Sequence, residues 1–129
     1  MAGDRLLTGG PMHSVTKLFR VGTSILGVCG KYDQALRFIE WRRSPDMRPT
    51  FVGEPDVQAL ELTQDGKIIW WGIEMIPVQI HKPFYAIGMG AEYALGAMSA
   101  GKSPQSAVKI AAQWDAATGS DVQVMKVRP

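Results

Sequence analysis

The hydrophobic pattern of the chain switches between a period of two residues and a period near 3.6. Met1 to Thr8 reads as a short strand that stops at Gly9-Gly10-Pro11, and Lys17 to Val21 with Ser24 to Val28 reads as a strand pair around Gly22-Thr23. From Tyr32 the apolar residues fall at Tyr32, Ala35, Leu36 and Ile39. That spacing predicts a helix that buries this face, turns Asp33, Gln34, Arg37 and Glu40 outward, and ends by Pro45. Ser44 to Pro55 holds three prolines and a glycine, too many breakers for a helix, and is expected to be a loop.

Alternation then returns. Val57 to Leu62 and Lys67 to Trp71 flank Asp65-Gly66, a dipeptide that supplies the positive φ angles of a tight hairpin turn. Met75 to Ile80 is a weaker strand, placed at an edge or an entry by Pro77, and Phe84 to Gly88 is expected to be a better one. Ala91, Ala94, Leu95 and Met98 restore helical spacing, and Gly101 is a stop able to take the left-handed conformation. Ser103-Pro104 starts another helix, the serine accepting from the orphan amides and the proline fitting the first turn. Its inward stripe is expected to be Ala107, Val108, Ala111 and Trp114, with Gly119 closing it and Val122, Val124 and Met125 forming a last apolar strand. One early and two late helices with strands between them suit packed sheets covered by helical layers.

Composition narrows the function classes. A chain of 129 residues, 46% hydrophobic and 20% charged, is expected to form one domain over residues 1–129. Its 14 basic and 12 acidic residues leave a net charge of +2 without a basic stripe, so no nucleic-acid or membrane-surface partner is expected. The single cysteine, Cys29, excludes an internal disulfide framework and fits a reducing cytosol. One cysteine with the widely spaced His13 and His81 cannot assemble a structural zinc site, and neither metal nor cofactor is expected. No segment has the length needed to span a bilayer and no secretory leader is apparent, so the expected location is the cytoplasm.

Five landmarks, taken in order, carry a resemblance. They are Ala2-Gly3-Asp4, Val15-Thr16-Lys17-Leu18, Leu26-Gly27-Val28-Cys29-Gly30, the Gly88-Met89-Gly90 turn, and Asp115-Ala116-Ala117-Thr118-Gly119. Together with the strand, turn, helix pair and strand from Phe84 to Val127, they resemble a proteasome β subunit or the bacterial protease HslV over nearly the whole length. The resemblance implies an α+β fold, the four-layer α-β-β-α sandwich of the N-terminal-nucleophile hydrolases, and a threonine peptidase acting as a subunit of a homo-oligomeric ring on peptide substrates. It does not indicate whether an ATPase unfoldase takes part.

The resemblance also implies roles. In such enzymes the hydroxyl of the N-terminal residue is activated by its own α-amine. Lys17 corresponds to the ammonium that keeps the amine neutral and stabilises developing negative charge, and Asp4 to the carboxylate that fixes the lysine. Without the family order, the pair would be read as a surface ion pair contributing about 0 to 1 kcal/mol. Gly27 corresponds to the oxyanion-hole glycine, which offers its backbone N–H and no side chain. Asp115 and Thr118 correspond to the pair that hydrogen-bonds around the N-terminal residue. Cys29, among Leu26, Gly27 and Val28, is expected to be an inert core thiol.

The chain departs from the pattern twice. Met89 stands where the family usually has a serine whose hydroxyl contacts the α-amine. By alignment Met1 falls within the second strand, so the first strand with its leading threonine is expected to be absent. Its loss would leave the edge of Ala2 to Asp4 unpaired unless an upstream segment or a neighbouring chain covers it. Three readings follow: a threonine-peptidase subunit inactive as written, a catalytically dead scaffold or binding protein, or an amidase on the same fold. Trp70, Trp71 and Ile73 to Ile76 are the expected assembly surface.

Overall fold

The computed structural model describes residues 1–7, 13–45, 49–51, 53–72, 74–119 and 122–127. The strands in these segments are β1 (Ala2–Asp4), β2 (Leu6–Leu7), β3 (His13–Ser14), β4 (Leu18–Val21), β5 (Ser24–Gly30), β6 (Val57–Leu62), β7 (Ile68–Trp71), β8 (Pro77–Ile80) and β9 (Val122–Val124). The helices are α1 (Tyr32–Arg43), α2 (Ala91–Ser99) and α3 (Pro104–Trp114). Strands β4 to β8 form a five-stranded antiparallel meander in sequence order, while β1 pairs with β9 and β2 with β3.

One face of the meander is covered by α1. Leu26 and Val28 of β5, Val57 and Ala59 of β6, and Trp71 of β7 pack on Ala35, Phe38 and Ile39 of the helix. Phe38 meets the edges of both Trp41 and Trp71, with centroids 5.9 and 5.5 Å away, the T-shaped geometry that ring quadrupoles favour. A second core lies between α2 and α3, where Ala94, Ala97 and Met98 face Ala107 and Ala111. Helix α3 in turn rests on β1 and β9. Ser103 caps α3 as its sequence predicts, Oγ accepting from Ser106 N at 3.2 Å, and Gly101 ends the preceding helix at φ +90°.

Several expectations need correction. Met1 to Thr8 is not one strand: β1 and β2 are separated at Arg5, and Thr8 lies outside the described residues, as do Gly9 to Met12. The Asp65-Gly66 hairpin is wider than a two-residue turn, closing through Thr63 N to Lys67 O at 3.0 Å. Phe84 to Gly88 carries no strand. The meander ends at β8, no described strand runs beside 84–88, and Phe84 and Ala86 pack on the α2–α3 core instead.

The buried face of α1 also differs. Leu36 is exposed, whereas Gln34 is fully buried because its amide serves backbone that has no ladder partner. Gln34 Nε2 donates to Glu54 O at 3.0 Å, and its Oε1 accepts from Asp56 N at 2.7 Å. Trp114 is 70% exposed rather than inward. A Cβ on Gly90 would stand 3.1 Å from Ala111 Cβ, so the helix pair ends there and Trp114 lies a turn beyond it. In β9 the inward residue is Gln123, while Val124 is exposed. Of the expected assembly surface, Trp71 is core, Trp70 is half-buried, Ile76 is exposed, and Ile73 lies outside the described residues.

Candidate active site

Asp4 ends β1 and Lys17 immediately precedes β4, so two short strands set their side chains against each other. Asp4 Oδ1 accepts from Lys17 Nζ at 2.8 Å, and the two side chains are 14% and 19% exposed. The other carboxylate oxygen accepts from Gly119 N at 2.8 Å and from Leu6 N at 3.2 Å. Three donors on one carboxylate make it a fixed charge rather than a swinging surface side chain.

Gly119 closes the turn after α3. Within that turn Thr118 Oγ1 donates to Asp115 Oδ2 at 2.6 Å, Ala117 N donates to Asp115 Oδ1 at 3.3 Å, and Thr118 N donates to Asp115 O at 3.1 Å. Asp115 thus organises the turn that presents the Gly119 amide to Asp4. The Gly88-Met89-Gly90 turn seats its backbone directly on this pair: a Cβ at position 90 would lie 2.6 Å from Thr118 Oγ1 and 3.6 Å from Asp115 Oδ2. Only glycine permits that approach. Met89 between the two glycines is 80% exposed.

Gly27 lies in β5 opposite Leu18 and Leu60. Asp4, Lys17, Gly27 and Thr118 all line one cavity of about 1030 Å³, and Asp115 reaches it through Thr118. That volume is at the upper end of the range for small-molecule sites. Its apolar wall includes Leu60, Phe84 and Met98.

Cys29 also lines the cavity, two residues beyond Gly27. Its thiol is pushed up from an ordinary 9.0 to about 11, first by burial and then by Asp56, against the opposing pull of Lys17 and a backbone hydrogen bond at Gln58. A thiol with that value holds about 100-fold less thiolate at pH 8 than an ordinary cysteine. Alkylation of the native protein by iodoacetamide at pH 8 is therefore expected to run at least about 100-fold slower than after denaturation. Equal rates in the two states would show an ordinary, accessible thiol instead. Among the described residues no three His, Cys, Asp or Glu side chains cluster as metal ligands, and no helix is long and apolar enough to cross a membrane.

The structure thus brings Asp4, Lys17, Gly27 and Thr118 to one cavity, with Asp115 behind Thr118. Two contributors escape a reading of hydrophobic pattern. The Gly119 amide became visible only once the turn was folded, and Gln123 bonds the backbone of Lys17 and Leu18 from β9. The one signal for Gln123 is a lone amide between two valines, which the period of a strand places on the face opposite to theirs.

No protein-family model matches the sequence, and no curated protein is significantly similar to it. Solved structures do match. BPH of Thiobacillus denitrificans, in complex with epoxomicin, superposes with a TM-score of 0.76 at 24% identity, covering 99% of this chain and 92% of that one. A second structure of that BPH gives 0.76 at 22% identity with the same coverage. Eukaryotic HslV from Trypanosoma brucei gives 0.74 at 17% identity, covering 95% of this chain and 88% of that one. At these identities the likeness is one of fold, and the fold is α+β and proteasome-like.

Proposed function

We propose that the chain is a subunit of a threonine-type peptidase of the N-terminal-nucleophile hydrolases. The observation that carries this reading is the convergence on one cavity of groups far apart in sequence, with Asp4 bonded both to Lys17 Nζ and to the Gly119 amide. The Lys17 ammonium holds the α-amine of the N-terminal residue neutral, so that the amine takes the proton of the attacking hydroxyl. Asp4 fixes the ammonium, and the Gly27 N–H stabilises the oxyanion of the tetrahedral intermediate. Asp115 and Thr118 orient the N-terminal residue. The protonated α-amine gives that proton to the leaving amine as the scissile C–N bond breaks, and water, with the α-amine again as base, hydrolyses the resulting acyl-enzyme ester.

The same reading makes residues 1–129 one domain with a four-layer arrangement, supported by α1 on one face of the meander and α3 on β1 and β9. It places the subunit in a homo-oligomeric cytoplasmic ring, which exposed Met89, Tyr93 and Trp114 at one end of the helix pair support. Met89 itself favours a second reading, a scaffold without peptidase activity, because a thioether offers no proton to orient an amine.

Neither Met1 nor Ala2 carries a hydroxyl, so the residue that heads the mature protein decides between these readings. N-terminal sequencing and intact mass of the protein from its source, followed by assay on a fluorogenic peptide panel, make the test. An N-terminal threonine with hydrolysis is the expected result. A terminus without a hydroxyl or thiol, together with no hydrolysis, overturns the peptidase reading in favour of the scaffold.

A further inference from the structure

Strand β4 is an edge of the five-stranded sheet, and a strand edge leaves N–H and C=O groups without a ladder partner. Lys17 O points into the sheet, accepting from Val28 N at 2.9 Å. Leu18, one residue on, points its own N–H and C=O the other way. Leu18 is 2% exposed, so water does not satisfy them. The partner is a side chain. Gln123 Oε1 accepts from Leu18 N at 3.1 Å and from Lys17 N at 3.2 Å, and its Nε2 donates to Leu18 O at 3.1 Å. The carboxamide therefore makes the acceptor-and-donor pair that a neighbouring strand would make.

Gln123 is 8% exposed and sits in β9, opposite Gly3 of β1. Gly3 admits the close approach this needs, because a Cβ there would lie 3.3 Å from Leu18 Cδ2. The next pair along the ladder is Asp4 with Val122. Both ends of the Lys17–Asp4 ion pair are thus referred to one strand pair: Asp4 by belonging to β1, and Lys17 through the Gln123 amide from β9.

We propose that Gln123 is the positioning residue that sets Lys17 against Asp4, its side-chain amide tying the edge of β4 to the β1–β9 pair. The inference rests on the reading of Lys17 as a functional ammonium. It assigns Gln123 no contact with substrate. No other polar side chain of similar length serves: asparagine is one methylene short, and an ionised glutamate sets a second acceptor against Leu18 O.

The test uses Gln123→Met, which keeps length and volume but makes no hydrogen bond, and Gln123→Glu. The first readout is the ¹⁵N side-chain signal of the Lys17 ammonium, visible when the group is held and lost when it exchanges freely with water. In folded Gln123→Met that signal is expected to disappear, with amide exchange at Lys17 and Leu18 accelerated about tenfold or more. Gln123→Glu is expected to retain the signal while the introduced carboxyl is protonated and to lose it on ionisation, at a pH where the wild-type signal persists. Base-catalysed exchange of the ammonium protons is common to both proteins and does not give that difference. This second variant also decides the matter if Gln123→Met fails to fold. Persistence of the signal in folded Gln123→Met, or the same pH dependence in Gln123→Glu as in wild type, overturns the inference. The second readout is peptide hydrolysis, expected to fall by about 10²-fold in kcat with KM unchanged. Wild-type protein whose terminus lacks a hydroxyl or thiol and that shows no hydrolysis removes the peptidase reading, while the ammonium signal still decides the role of Gln123.

Discussion

Replacing Lys17 by methionine is expected to lower peptide hydrolysis by about 10² to 10⁴-fold while leaving the protein folded. Methionine matches the length of the lysine stem but removes the charge that Asp4 holds at 2.8 Å. Asp4 keeps two other donors, the amides of Gly119 and Leu6, so its carboxylate is not orphaned. The stability loss is accordingly limited to about 1 to 3 kcal/mol. Lys17→Arg is expected to fail as well, because a planar fork cannot reproduce a compact ammonium at the same point. Single-turnover kinetics at fixed pH, with denaturant unfolding of the same samples, separates the chemical loss from the structural one. Unchanged hydrolysis in folded Lys17→Met would remove Lys17 from the site.

Gly30→Ala is expected to be the most damaging glycine-to-alanine change among the described residues. Gly30 ends β5 at φ +100°, and a Cβ there would lie 2.1 Å from Asp56 O and 2.8 Å from Asp56 C. The obstructing peptide cannot move aside cheaply, since Asp56 O accepts from Lys31 N at 2.7 Å and Asp56 N donates to the buried Gln34 Oε1 at 2.7 Å. Positive φ and a blocked Cβ act together, for an expected loss above about 4 kcal/mol. Gly96→Ala provides the contrast. Gly96 lies inside α2 with nothing within 4 Å of a Cβ, so alanine is expected to stabilise by about 0.5 to 1 kcal/mol. Denaturant midpoints of the two variants check both signs, and a Gly30→Ala protein as stable as wild type would mean the β5–α1 corner is built differently.

The elements that are legible in the sequence owe this to local chemistry. Ser103-Pro104 announces α3, and the run from Val57 to Trp71 announces a hairpin, because a cap and a breaker act within a few residues of themselves. What stayed hidden depends on partners far away. Gln34 reads as solvent-facing, and Gln123 carries no expectation between its two valines, because polarity alone does not reveal that each amide bonds backbone that no strand pairs. Trp114 reads as core because its stripe continues past the point where the opposing helix ends. Phe84 to Gly88 has strand composition and no described strand beside it. The candidate site shows the same division. Asp4, Lys17, Gly27, Asp115 and Thr118 stood out through resemblance, whereas the hydrogen bond from Gly119 to Asp4 and the Gln123 amide became visible only with three-dimensional placement.

The ladder between β1 and β9 has a temporal side. Asp4 and the Gly119 amide that holds it are 115 residues apart in sequence. At synthesis rates of about 5 to 20 residues per second, a ribosome needs on the order of 10 s to travel between them. The meander and α1 draw on contiguous chain and can condense on the nascent polypeptide. The carboxylate that anchors Lys17 waits for the turn after α3 to emerge, so the candidate active site takes shape after the meander and α1.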